Sequence, residues 1–524
     1  MISLLLLSAI VIFPCALVFK TLWDFFRDPL RLRGYPSPSI WAALTPLWLM
    51  NQSFRERRSR AIYEQHKRLG DVVRIAPRHV SINDPRAIKD IYGHQAIDKV
   101  NKDVFYTHLK GEHWDIVQVP DRGEHTRKRK YLAHAFALKT VVSMEPVIHE
   151  NASRLLQGIE RHCDARKLDD TATINIRQWF NFFTLDVIAD MAMGIKLGFC
   201  ETGSDASWAE TKGGNVYPLK STIDTLQQGV RYSVTLAQGS SERWHKFLKS
   251  LLEINGYVKR LIRAQDADDF TNFSLHKVKT RIENGGPDRP SNDFFGNILE
   301  DPRTGESRNL PFMEMVIDGI VLLNAGSDTT ASALTSGIYF LMKTPDALAK
   351  LRQEVDQALP PDTMLAPYNL VKDLRYLRAC IDETLRLRPP IAYGLQRQVT
   401  APEGITIAGR HFKQGTTVAV PTFAVHRRED LYVDAERYNP DRWLDTSNPQ
   451  QIKNLVDFTI PFSQGPRACL GRNIAIVEQQ ILISTLVHRY DFEFVHPEQE
   501  LKIFERFNSN PGPMPVRVSR RVRS

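Results

Sequence analysis

The segment Phe462–Gly471 reads FSQGPRACLG, with Cys469 set two residues after Arg467 and two before Gly471. The other cysteines, Cys15, Cys163, Cys200 and Cys380, are scattered and form no CxxC pair. Five such cysteines make no disulfide framework and fit a reducing compartment. A sulfur placed like Cys469 can be structural, reactive or a metal ligand. Gly465 and Pro466 set a tight turn ahead of it, and the apolar run NIAIVEQQILISTLVHRY after Gly471 reads as a long helix. The free N–H groups at a helix amino end stabilise a thiolate. Arg467 adds a fixed cation for a nearby carboxylate, and Phe462 an apolar wall that keeps water from the sulfur. A thiolate held this way suits axial ligation of haem iron, where its electron density favours O–O cleavage.

A second constellation lies in Ala325-Gly326-Ser327-Asp328-Thr329-Thr330, the middle of an otherwise apolar run that Pro311 opens and Pro345 closes. A helix apolar nearly all round belongs in a core, so its carboxylate and threonines must be satisfied or functional. Gly326 removes a side chain that would hold a flat ligand away. Thr329 can divert its hydroxyl from the backbone and widen the helix locally. The alternative is a buried polar kink in which Asp328 pairs with an arginine. A third constellation is Glu383 and Arg386, one turn apart on a helix that Pro389 ends. Their side chains share a face, and Arg442 from AERYNPDRW could complete a buried ion network. A solvated surface pair is the alternative.

These groups need a scaffold, and the pattern of the chain supplies one that is mainly α with a minor β lobe. Two β-branched runs, Asp71–Pro77 and His79–Asn83, predict a hairpin, and a helix follows Asp84 and Pro85,. Arg122–Leu138 reads as one basic amphipathic helix, and most of 140–360 has helical periodicity. Strand signals return at Gly404–Ile407, Thr416–Val420 and Asp491–Val495,. The stretch Asn284–Asn309 reads as a loop. The chain has 524 residues and a formal net charge of +9. That excess favours acidic partners such as an anionic membrane or an acidic protein. Zinc-finger spacing and basic heptads are absent, which sets nucleic acid aside. Residues 1–19 are uncharged as far as Phe19, and Lys20, Arg27, Arg31 and Arg33 then interleave with Trp23, Phe25 and Phe26. This predicts a single membrane-spanning anchor with its carboxyl side cytoplasmic. Residues 20–50 read as linker and hinge, stiffened by Pro36 and Pro38, and 51–524 as one catalytic domain.

In their order AGSDTT, ETLR and FSQGPRACLG, these motifs resemble those of the cytochromes P450, which are haem-thiolate monooxygenases. The resemblance spans nearly everything after residue 50, and the anchor. It implies a single mainly helical catalytic domain holding haem b, with Cys469 as iron ligand. It implies Asp328 and Thr329 as the acid–alcohol pair that delivers protons, and Ala325 and Gly326 against the cofactor. Glu383, Arg386 and Arg442 become a structural triad. Arg467, Arg129 and Arg397 become partners of the haem propionates. His125 stands where the family usually has Trp, and Gly465, Gly471 and Phe462 shape the cysteine loop. The family's Pro-Pro-Gly-Pro hinge is replaced here by YPSPS.

With no Gly-x-Gly-x-x-Gly unit after a strand, electrons must come from a partner. The resemblance implies NADPH–cytochrome P450 reductase, with cytochrome b5 as a possible second donor, at the endoplasmic reticulum membrane. The basic run Arg127–Lys130 offers a docking face. In style the chain is similar to filamentous-fungal members close to benzoate para-hydroxylases. The expected reaction uses dioxygen to hydroxylate or couple a small apolar or aromatic substrate in secondary-metabolite biosynthesis. The alternatives are benzoate-type para-hydroxylation, an isomerase or peroxygenase, and a haem-binding sensor or scaffold. The loop Tyr106–Pro120 is expected over the haem, with RPPIAYGLQ and ERFNSNPGP on the far wall.

Overall fold

The computed structural model of the protein describes residues 16–521 apart from 17, 164–172, 240–241, 254–255, 284–293 and 300–303. The segment read as an anchor falls outside the described residues except for Ala16, Val18 and Phe19. Among the described residues no helix is long and apolar enough to cross a membrane. Most of the Asn284–Asn309 loop also lies outside the described residues, although Phe294–Leu299 is a helix.

Two lobes set the site. The strands that frame the site are β1 (Val72–Ala76), β2 (His79–Ile82), β3 (Val100–Lys102), β4 (Thr173–Asn175), β5 (Arg397–Val399), β6 (Thr417–Ala419), β7 (Tyr490–Phe494), β8 (Ile503–Glu505), β9 (Ser509–Pro511) and β10 (Pro515–Arg520). A five-stranded sheet runs β1-β2-β6-β5-β3, and a three-stranded one β7-β10-β4. β8 and β9 form a separate hairpin. The β1–β2 hairpin stands where the two β-branched runs predict it. The sheet has its own core, in which Val80, Ile82, Val399 and Val418 pack together. Residues 20–50 are more than a tether. Pro36 O accepts from Arg74 N at 2.8 Å, Tyr35 stacks on Phe412, and Leu49 joins Val73 and Ile75 in a small core.

The helical lobe is built on α1 (Val104–His108), α2 (Arg122–Ala133), α3 (Ile176–Met193), α4 (Thr222–Ala237), α5 (Gln265–Glu283), α6 (Phe312–Lys343), α7 (Arg375–Leu387) and α8 (Arg472–Arg489). α6 runs unbroken for 32 residues between the two prolines that bound it. α3, almost wholly buried, packs along it, as a helix apolar on every face must. α7 stops ahead of Pro389, and α8 begins at Gly471. α2 is shorter than its basic pattern predicts. Asp121 caps its start, accepting from Glu124 N at 2.7 Å. The chain leaves the helix at Ala133, turning so that Phe136 enters the core beside Phe294. A second helix, Leu138–Ser143, then begins.

Candidate active site

A cavity of about 640 Å³ lies between the lobes. The middle of α6 forms one wall and the Phe462–Gly471 loop another, with β3 and β5 along one edge. α1 and the segment to Gln118, α4, and Phe507 with Asn508 complete the enclosure. The segments expected over the cofactor and on the far wall are therefore cavity lining.

The cysteine loop is fixed by its backbone. Gly465 has φ +71°, and a Cβ there would sit 2.1 Å from Tyr92 O, so only glycine fits,. Cys469 N donates to Phe462 O at 2.9 Å. The sulfur lies deep below the protein surface, yet Cys469 is open to the cavity. Burial pushes its thiol pKa up, against the N–H groups of Gly471 and Arg472 and the charges of Arg129 and Arg472, which favour the thiolate. Gly471 has an ordinary φ of −76°. A Cβ there would lie 3.9 Å from the sulfur, so its absence leaves open space beside that atom. Phe462 lines the cavity with the Arg472 guanidinium 5.8 Å from its ring centroid.

One edge of the cavity gathers cations. Arg467 donates to Val119 O at 2.9 Å and Pro120 O at 2.8 Å. Arg129 donates to Ala468 O at 3.0 Å. Arg397 donates to Gln396 O at 2.9 Å. Lys102 donates to the carbonyls of Ile116 and Val117 at 3.0 and 2.5 Å. His125 is buried among them. Burial and the neighbouring Arg467 and Lys102 charges push the His125 pKa down to about 3. Burial and Arg397 pull Arg467 down to about 10. Among the described residues, none of the four cations has a carboxylate within ion-pair distance. A group bearing carboxylates is what such an edge accommodates. With the sulfur facing the same cavity, the donor set fits haem b. Nothing in the pattern VNKDVFY marks Lys102, and only the tertiary neighbours reveal it.

On α6, Ala325 and Thr329 face the cavity. The Thr329 hydroxyl donates to Ala325 O at 2.8 Å and the helix does not break. Sequence predicts this hydroxyl diverted from the backbone and the helix widened there; instead it bonds the helix's own backbone. Gly326 lines the cavity, and it has a packing role as well. A Cβ there would stand 2.6 Å from Ile188 Cγ1 on α3. Asp328 is buried and absent from the cavity wall. It accepts from Arg177 Nη2 at 3.1 Å, Gln227 Nε2 at 2.9 Å, Asn510 Nδ2 and, at 3.5 Å, Asn508 Nδ2. Burial alone would raise its pKa; Arg177 and the amides outweigh that and hold it below the ordinary carboxylate range. Asn508 also lines the cavity and so connects it to this carboxylate. Pairing with an arginine is the alternative that the sequence leaves open for Asp328; which arginine, and the three amides, are not legible there.

Glu383, Arg386 and Arg442 meet in one buried network away from the cavity. Arg386 grips Glu383 with two bonds of 2.8 and 2.9 Å, and Arg442 Nε lies 3.0 Å away. Arg386 also donates to His426 O at 2.7 Å. His426 Nδ1 donates to Arg386 O, and its Nε2 accepts from Ile460 N at 2.9 Å, just before the cysteine loop. Burial pushes the His426 pKa down to about 3, so the ring is neutral and can play both parts. The network therefore anchors the start of the loop.

The Arg127–Lys130 run is not the free cationic face expected. Lys128 is buried, 2.7 Å from Glu314 Oε1 and 3.1 Å from Asp318 Oδ2. Arg127 pairs with Glu124 and Glu314, and Arg129 turns inward. Only Lys130 is exposed and without a partner among the described residues.

The chain matches the family model for cytochrome P450 across residues 36–518. Benzoate 4-monooxygenase bphA of Aspergillus niger is 32% identical over 500 residues, covering 94% of this chain and 93% of its own. Cytochrome P450 monooxygenase tpeC of Talaromyces stipitatus is 28% identical, with 93% and 88% covered. Averantin hydroxylase of Dothistroma septosporum is 28% identical, with 90% and 83% covered.

Proposed function

This chain belongs to the cytochrome P450 family and is a haem-thiolate monooxygenase, and from that premise we propose that it hydroxylates or oxidatively couples a small, largely apolar substrate in fungal secondary-metabolite biosynthesis. Electrons come from NADPH–cytochrome P450 reductase, with cytochrome b5 as a second donor. Residues 1–19 anchor the protein in the endoplasmic reticulum membrane with the catalytic domain in the cytoplasm. The relative named averantin hydroxylase supports the metabolite class. The apolar lining by Ile116, Val117, Leu226, Val230, Ile320 and Ile391 supports the substrate's character, since such walls bind by excluding water.

The observation that carries the reading is Cys469, open to the cavity at the amino end of α8 and facing the same space as the cationic edge. Haem iron bound there supplies dioxygen activation and oxygen transfer to the substrate. The rest is the protein's work. Arg129, Arg397, Arg467 and His125 would hold the propionates, and Phe462 would shield the sulfur. Thr329 Oγ1, on the cavity wall, would hold a proton toward the cavity, and Asp328 would resupply it only after its bonds to Arg177 and the amides loosen and it takes up a proton from water. Cys469→Ser is expected to abolish the Soret maximum typical of sulfur ligation in the reduced, carbon-monoxide-treated holoprotein. An unchanged spectrum would refute the assignment.

Para-hydroxylation of benzoate is the second reading, favoured by the benzoate 4-monooxygenase relative. Titration with benzoate, followed by product analysis in the presence of reductase, separates the two. A low-to-high-spin shift with para-hydroxybenzoate formed selects the second. No shift, with a polyketide or terpenoid precursor accumulating after gene disruption, selects the first.

A further inference from the structure

α6 turns Ile320, Val321, Asn324, Ala325 and Thr329 toward the cavity. An asparagine inside a helix is unfavourable by propensity, because its amide competes with the backbone. The hydroxyls nearby fold back on their own helix. Ser327 donates to Leu323 O at 2.7 Å, Thr329 to Ala325 O at 2.8 Å and Ser332 to Asp328 O at 2.7 Å. Gln479, the amide that α8 brings to the same cavity, donates to Ala475 O at 2.7 Å. Asn324 makes no hydrogen bond among the described residues. It is half-buried on a helix packed against α3 and α8, so the exposure it keeps is to the cavity. Two N–H donors and one carbonyl acceptor therefore stand unspent in an apolar stretch of wall.

A wholly apolar ligand closing on this wall would expel water from the amide and leave it bare, which is costly. A ligand with a hydroxyl or carbonyl oxygen there replaces the water bond for bond. A carboxylate gains less, since a neutral amide offers no charge to offset a desolvated anion. The guanidiniums that line the cavity, Arg129, Arg397 and Arg467, belong to the cofactor edge. We propose that Asn324 determines specificity, selecting among ring-bearing apolar substrates those with an uncharged oxygen, a phenol or a ketone, and holding that oxygen about 7.5 Å along α6 from Thr329. The inference rests on the monooxygenase reading above and narrows its substrate class.

The test compares wild-type holoprotein with Asn324→Leu, which keeps the bulk of the side chain and loses the amide. Four probes share a naphthalene ring and carry a hydroxyl, acetyl, methyl or carboxylate group at the same position. Their dissociation constants are read by competition against phenylimidazole, whose spectral change reports occupancy whether or not a probe shifts the spin state. Asn324→Leu is expected to shift the hydroxyl-to-methyl and acetyl-to-methyl affinity ratios about tenfold or more toward methyl, with methyl binding held or strengthened. Unchanged ratios, including an equal weakening of all four probes, would overturn the proposal. So would a wild type that binds the carboxylate most tightly. If Asn324→Leu does not load haem, Asn324→Ala takes its place with the same outcomes. A wild type lacking the sulfur-ligated carbon-monoxide spectrum would refute the haem reading itself, whereas that spectrum with unchanged ratios refutes the role of Asn324 alone.

Discussion

Glu383 and Asp328 are both carboxylates sunk among apolar helices, and the protein holds them in different ways. Glu383 faces two guanidiniums, the Trp443 indole N–H and the Asn439 backbone, all in well-formed bonds. Asp328 faces one guanidinium and three amides, and these come from α3, α4 and the β8–β9 hairpin region. Doubly compensated charge makes a rigid anchor, here for the start of the cysteine loop. Singly compensated charge, shared among segments that also line the cavity, makes a joint. Gln227 shows the joint's construction: its amide donates to Asp328 while its carbonyl accepts from Arg506 at 2.6 Å. Its neighbours Leu226 and Val230 line the cavity.

The contrast breaks most sharply at Glu383. Glu383→Ala strands two buried guanidiniums, and a loss of about 3–5 kcal/mol is expected. Urea unfolding would read it, together with poor haem incorporation because the cysteine loop loses its footing. A loss below about 1 kcal/mol would show that the two arginines find other partners.

Arg177→Met removes the guanidinium that bonds Asp328 and leaves the amides, so about 2–4 kcal/mol is expected,. The sign of its pH dependence is the stronger test. The Asp328 pKa is depressed in the folded protein. Its stabilisation is therefore present above the ordinary carboxylate range and is lost as pH falls through the folded value. Without Arg177, burial dominates and raises the folded pKa, so stability should instead fall as pH rises. Between about pH 5 and about pH 8 the wild-type contribution of Asp328 is already complete, so its urea midpoint should hold while the variant's falls, and parallel profiles would deny Arg177 its part.

The smallest effect is expected at Gly326→Ala. The new methyl meets Ile188 on α3, the helix that carries Arg177, and overpacking of this kind costs about 1–3 kcal/mol. Ile188→Val in the same chain should recover part of it, a coupling that a double-mutant cycle on thermal unfolding would measure. Full additivity would place the strain elsewhere.

Much of the scaffold was legible because its signals are local. Pro311 and Pro345 bracket α6 to within a residue or two, and the β-branched runs up to Asn83 give the β1–β2 hairpin. The Glu383–Arg386 pair follows from one turn of helix. The failures share a cause. The packing of Gly326 against Ile188 was missed because Ile188 is remote in sequence. The Arg127–Lys130 run was read as surface because Glu314 and Asp318, which bury Lys128, come from another helix. Arg177, Gln227, Asn508, Asn510, His426 and Lys102 carry no pattern at all, being ordinary polar residues until the fold brings them to a carboxylate, a loop or a cavity edge.

By itself the sequence determined that one sulfur sits at the mouth of a helix, behind a glycine turn and an aromatic wall, because every residue needed for that lies within ten positions. Which charges surround that space, which carboxylate is locked and which is only pinned, was decided by the tertiary structure alone. The physical reason is that electrostatic compensation acts through space at a few ångströms, between groups whose separation along the chain is unconstrained.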